Sequence, residues 1–275
     1  MTQVSDVVTA LEQRYPPRLA EGWDRNGLVV GRPSATVEKV LLAVDPVLAV
    51  LEEAVDEDCD LIVTHHPLLL RGVTTVRADT AKGAMVHELI ERGIALFNAH
   101  TNADAAAGGV ADALAADLGV VDVVPLVPDA ADPALGSGRV GRLADPCTLH
   151  QFAERVAEVL PATAHGVRVA GDLAGRVETV AVLGGSGDSF LDAVRAAGAD
   201  VYVTADLRHH PASEARELAA LGDGRPYLVD VAHFASEWSW LRGAAQHLED
   251  ALGLETHVST LTTDPWTARF GATGS

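Results

Sequence analysis

Two adjacent histidines, His65 and His66, followed by Pro67, close the run Asp60-Leu61-Ile62-Val63-Thr64. Side chains on an extended chain alternate sides, so neighbouring imidazoles do not serve one mononuclear site with equal geometry. Two ions lying ~3.5–4 Å apart could each take one, and ion pairs of that kind carry hydrolytic chemistry. A second constellation lies far downstream. His233 and Glu237 are four residues apart, and if Ala232 to Leu248 is helical they share one face and can grip neighbouring ions together. Between these two, Asn98-Ala99-His100-Thr101-Asn102-Ala103-Asp104 offers a carboxylate ligand in Asp104. His100 reads as a ligand or as a group that orients one by hydrogen bonding, and the orienting role is preferred. Each feature also has a plainer reading: a surface His-His pair, an exposed i,i+4 polar pair, and for Asp104 a helix N-cap.

The flanking sequence decides between these readings by supplying strands that end where the polar residues begin. Leu61, Ile62 and Val63 form the apolar run of a buried parallel strand. Val37 to Val44 reads as a strand ending in Asp45-Pro46, Val47 to Val55 as the helix after it, and Asp60 to Thr64 as the next strand. A βαβ unit with a parallel sheet and a right-handed crossover is the simplest topology. Ligands bind outside the carboxyl ends of such strands. Val4 to Leu11 and Ala81 to Arg92 read as helices, the latter stopped by Gly93, and Ile94 to Phe97 is a strand feeding His100. Trp23-Asp24-Arg25-Asn26-Gly27-Leu28-Val29-Val30-Gly31 reads as a turn built from Asp, Asn and Gly between apolar flanks, with Trp23 as a core anchor rather than a ligand contact.

Pro125 to Gly138, with three prolines, reads as a boundary or linker after which a second unit begins. That unit carries strands near Arg139 to Leu143, Val167 to Ala170 and Val177 to Leu183, with a helix near Leu149 to Val159. Gly184-Gly185-Ser186-Gly187 follows, and such a turn either exposes N–H groups to an anion or is simply a tight structural turn. Asp200 to Thr204 is a further strand. It leads to Asp206 and to a second His-His-Pro, His209-His210-Pro211, in which Asp206 and His210 line a cleft or cap the next helix. Tyr227 to Val231 is the last clear strand and runs into His233.

Composition narrows the function classes. The 275 residues are 48% hydrophobic but only 4% aromatic, which suits an α/β core of Ala, Val and Leu. A net charge of −19 disfavours nucleic acid and anionic membrane as partners. Cys59 and Cys147 form no ligand pair and no disulfide framework. With no basic-then-apolar leader and no membrane-length apolar run, the chain is expected to be cytoplasmic.

Taken in order, Trp23-Asp24 with Gly27-Leu28, the Asp60 to Pro67 stretch, His100 to Asp104, Gly184 to Gly187, Asp206 with His210, and His233 to Glu237 resemble a known family. It is that of the NIF-three-like dinuclear metal centre proteins, also called GTP cyclohydrolase 1 type 2 homologs. The resemblance spans nearly the whole chain. It implies an α/β fold of two related units with mixed or parallel sheets: a discontinuous metal-binding core (1–124 plus 227–275) and an intervening second domain (125–226). It also implies a ring-shaped homohexamer. Residue by residue, it puts His65, Asp104 and Glu237 on one ion and His66, His233 and Glu237 on the other, with Glu237 bridging. His100 and His210 are then the neighbouring or substrate-facing candidates. The family often has Asn where Arg25 stands, Asn26 coming one place later, and Gly where Ala205 stands. The chain is also too short for the large inserted domain of longer members.

Two functions are compatible with these residues. One is a metal-dependent hydrolase in which a water activated by two divalent ions attacks carbon or phosphorus of a nucleotide or related small molecule. The other is a metal-holding oligomeric scaffold or sensor with a protein partner. Mixed imidazole and carboxylate ligands suit Zn, Mn, Fe or Ni.

Overall fold

The computed structural model describes residues 1–270. Its first elements follow directly from local pattern. Helix α1 (Val4–Arg14) buries Val4, Val7, Ala10 and Leu11 at helical spacing, and the Asp6 carboxylate accepts the Gln3 N–H at 2.8 Å. The strand β1 (Gly27–Val30) lies where only a turn was expected. β2 (Lys39–Ala43), α2 (Leu48–Asp56) and β3 (Leu61–Thr64) form the expected βαβ unit, with β2 and β3 parallel and in register from Val40 opposite Leu61. Helix α3 (Ala81–Arg92) starts on the Thr80 side chain and stops at Gly93, whose φ of 74° is the left-handed cap geometry. Then come β4 (Ala95–Asn98) and the short helix α4 (Thr101–Ala105).

The second unit runs through α5 (Val110–Asp117), β5 (Val120–Pro128), β6 (Gly136–Thr148), α6 (Leu149–Val159), β7 (Arg168–Ala170) and β8 (Arg176–Ser186). It continues with α7 (Leu191–Ala196), β9 (Val201–Ala205), α8 (His209–Ala220), β10 (Tyr227–Val231) and α9 (His233–Glu237). The chain then returns to the first unit with α10 (Trp240–Leu252) and β11 (Glu255–Val258). Residues 125–138 are not a linker. Val120 to Pro128 pairs with Gly136 to Leu143 as an antiparallel hairpin, and Pro125 and Pro128 are tolerated because β5 is an edge strand. The connecting turn is held by Asp129, whose carboxylate accepts the N–H groups of Ala131 and Asp132.

Among the described residues the sheet of the first unit has five strands in the order β1-β4-β3-β2-β11, parallel except for β1. That of the second has six, in the order β5-β6-β8-β9-β10-β7, with β8, β9 and β10 parallel at its centre. The fold is thus the mixed α/β architecture with a core discontinuous in sequence. Its units are Met1–Gly109 with Trp240–Thr263, and Val110–Ser239 with the segment from Asp264. The expected division at 124 and 227 moves because β5 and β10 are hydrogen-bonded into the second sheet. His233 and Glu237 therefore belong to the second unit. The helix expected from Ala232 to Leu248 is likewise two helices, α9 and α10, separated at Trp238 and Ser239. Among the described residues no helix is long and apolar enough to cross a membrane.

Candidate metal centre

Parallel pairing of β2, β3 and β4 aligns their carboxyl ends, so Asp45, His65-His66 and His100 emerge side by side from consecutive strands of the first unit. The two histidines do not splay to opposite sides. β3 ends at Thr64, whose hydroxyl donates to the His66 carbonyl at 2.8 Å, and in the bend that follows the two rings lie 5.1 Å apart. The His65 and His66 backbone N–H groups still reach the Ala43 and Val44 carbonyls, which fixes both side chains on rigid backbone.

Each of these imidazoles has its Nδ1 against an oxygen that only accepts hydrogen bonds: the Ala99 carbonyl for His65 (2.9 Å), Asp45 for His66 (2.7 Å) and Asp24 for His100 (2.8 Å). An acceptor at Nδ1 places the proton there and leaves the Nε2 lone pair to serve as a ligand. His65, His66 and His100 offer ligand atoms that all lie within 4.8 Å of one another. Asp104 brings Oδ1 to 3.6 Å from His65 Nε2. Because Asp104 lies inside α4 rather than ahead of α5, its N-cap reading does not hold. His65 is fully buried, with the indole of Trp240 5.6 Å away. Burial works to raise the Asp24 pKa, but hydrogen bonds from His100 and Thr101 outweigh it and hold the carboxyl well below the usual range. Asp24 therefore stays an anion able to orient His100.

In the second unit β10 delivers His233 and Glu237 to α9, where the i,i+4 spacing brings His233 Nε2 to 3.0 Å from Glu237 Oε1. His233 Nδ1 meets Asp206 at 2.7 Å, the same carboxylate-to-Nδ1 arrangement as in the first unit. Burial lowers the His233 pKa, but Glu237 and Asp206 together push it up to about 11, so without a cation the imidazole holds a proton between two carboxylates. The His233 hydrogen bond in turn lowers the Asp206 pKa, against the opposing effect of burial.

The glycine-rich turn proves to be a matter of close approach. A Cβ on Gly185 would lie 2.6 Å from Glu237 Oε1 and 3.2 Å from His233 Nε2, and one on Gly184 would lie 3.3 Å from Glu237 Cγ. The Gly185 N–H is taken by Ser236 Oγ and that of Gly187 by the Ala205 carbonyl, so these donors hold the turn against its own unit. The structural reading of this motif prevails over the anion cradle.

Other expected positions fall differently. His210 is exposed in the first turn of α8, its ring 5.2 Å from that of His209. Asn26 accepts the His100 N–H at 3.1 Å, so it holds the end of β4. Ala205 is buried in β9. Trp23 is no core anchor, being 56% exposed. Sequence reasoning passed over Asp24 and Asp45 as orienting groups. Asp45 had a signal, since it lies just past the end of the strand paired beside His65-His66. Asp45→Ala is expected to leave the fold intact but weaken metal binding by about 10–100-fold, which a competition titration with a chelating dye measures. Unchanged affinity would remove Asp45 from the site.

The sequence matches the family profile described as Duf34/NIF3 (NGG1p interacting factor 3) over residues 2–265. It is 55% identical to a Streptomyces coelicolor protein named GTP cyclohydrolase 1 type 2 homolog, over 99% of this chain and 96% of that protein. A Mycobacterium tuberculosis protein of the same name is 37% identical over 96% of each. That alignment needs 372 positions against 275 residues here, so the mycobacterial protein carries inserted sequence absent from this chain. Among solved structures, a Bacillus cereus protein related to NIF3 is similar with a TM-score of 0.88 at 26% identity, covering 97% of this chain and 99% of that one.

Proposed function

The chain belongs to the NIF3 family, and from that premise we propose that it binds two divalent metal ions per chain and hydrolyses a nucleotide or related small molecule. His65, His66 and Asp104 of the first unit and His233 and Glu237 of the second supply the ligands. In this reading, which follows the family resemblance, Glu237 would serve both ions, His65 and Asp104 would hold one, and His66 and His233 the other. The observation that supports it most is the oxygen acceptor at the Nδ1 of His65, His66 and His233, which leaves Nε2 as the ligand atom in each. Neutral imidazoles with two carboxylates fit Zn, Mn, Fe or Ni. Such ions, when bound, lower the pKa of a water and stabilise negative charge developing on oxygen. His100, oriented by Asp24, is the group placed to take or return a proton beside His65 and His66.

The test is turnover. Protein loaded with Mn or Zn should release a hydrolysis product from GTP, detected by chromatography, and lose that activity on chelation. Metal-loaded protein inert toward nucleotides and phosphoesters would shift the account to the second reading, a metal-holding scaffold or sensor with a protein partner. The family description, which names an interacting factor, favours that alternative. In either case the chain is proposed to work in the cytoplasm as a homohexamer. Light scattering should give about six chain masses, and a monomer would exclude the ring.

A further inference from the structure

We propose that Trp23 is the platform on which the planar ring of the substrate stacks, with Arg25 beside it for the phosphate, so that the first unit selects nucleoside phosphates. The inference rests on the metal-dependent reading above and gives it a substrate class. In a chain with only four tryptophans, Trp240 is fully buried whereas Trp23 leaves more than half of its surface to solvent. A large apolar ring kept in water is an unspent binding surface, and a nucleobase is well suited to cover it, because every base presents a flat π face.

Position and mounting turn this exposure into a site. The indole lies 5.9 Å from the His100 ring at an interplanar angle of 77°, so the imidazole does not lie flat on it. His100 in turn belongs to the cluster with His65 and His66. The backbone carrying Trp23 is pinned to the junction of β4 and α4. Glu21 N–H donates to Thr101 Oγ1 at 3.0 Å, Asp24 N–H to the Glu21 carbonyl at 2.9 Å, and the buried Asp24 carboxylate accepts from Thr101 N at 3.0 Å and from His100. A ring held by such a frame loses little conformational entropy when a partner stacks on it. Arg25 is exposed on the other side of Asp24, and its Nη1 donates to the Asp24 carbonyl at 2.5 Å. An aromatic face and a guanidinium two residues apart match a ligand that joins a heterocycle to an anion. They also give an otherwise acidic protein a local means of holding one.

Calorimetric titration of the metal-loaded full chain with GTP, ATP and inorganic triphosphate tests this. Trp23→Ala should weaken GTP and ATP by roughly tenfold or more while leaving triphosphate unchanged, and Trp23→Phe should retain most of the affinity. Arg25→Ala should weaken all three. Metal content and oligomeric mass should match the wild type in every variant. Undiminished nucleotide binding by Trp23→Ala would overturn the proposal. So would a change of its oligomeric mass, which would make the indole a subunit contact, or loss of its metal, which would make it a support for His100. Wild-type protein that holds its ions but binds no nucleotide would overturn this inference, and GTP turnover with it, while leaving the metal reading standing. Wild-type protein that holds no ions would instead overturn the metal reading beneath it.

Discussion

Glu237→Gln is expected to yield a folded protein that retains at most one ion per chain and has no metal-dependent turnover. Glu237 is only 3% exposed, and its carboxylate contacts His233 Nε2 at 3.0 Å. A carboxamide keeps that shape and volume, so the packing around Gly184 and Gly185 is preserved. It removes the negative charge that, shared between two cations, would offset their repulsion and hold their spacing. Asp104→Asn makes the natural comparison, since Asp104 is proposed to serve one ion only and should leave the ion of His66 and His233 in place. Metal analysis with circular dichroism on both variants separates loss of metal from loss of fold. Two ions retained by Glu237→Gln would contradict the shared role.

Gly185→Ala should have an effect of similar size, from a residue that donates no ligand. Its φ is 72°, a left-handed conformation that costs a non-glycine residue about 1–2 kcal/mol. The added methyl would also meet Glu237 Oε1 at 2.6 Å, so either the turn or the carboxylate must move. Gly93→Ala isolates the backbone contribution, because Gly93 has a φ of 74° and a methyl added there would meet nothing within 4 Å. Both variants should lose a similar increment of thermal stability from the backbone, and Gly185→Ala alone should lose metal. Equal metal content in the two would mean that the glycine serves only the turn.

Much of this arrangement could be read from the chain before folding. The apolar run into His65-His66 and the strand before His233 were legible because buried parallel strands are continuous in hydrophobicity and end abruptly. The spacing of His233 and Glu237 was legible because α9, though short, does span both. β1 and β11 were not legible. Each has four residues, and each exists because a neighbouring strand supplies its hydrogen bonds, β4 for the first and β2 for the second. The hairpin strand β5 was masked by prolines that only an edge position makes acceptable. Asp24 lies 76 residues from His100, and a pairing at that distance leaves no local pattern to find. The exposure of Trp23 was hidden as well, because a tryptophan is more often buried than not and no local pattern marks this one as an exception.

The most direct measurement is the metal stoichiometry of the wild-type chain, determined by elemental analysis after equilibration with Mn or Zn and removal of the excess. Two ions per chain are predicted, falling toward one in His66→Ala and in His233→Ala. A wild-type chain that binds one ion or none, or variants that both keep the full complement, would contradict the account.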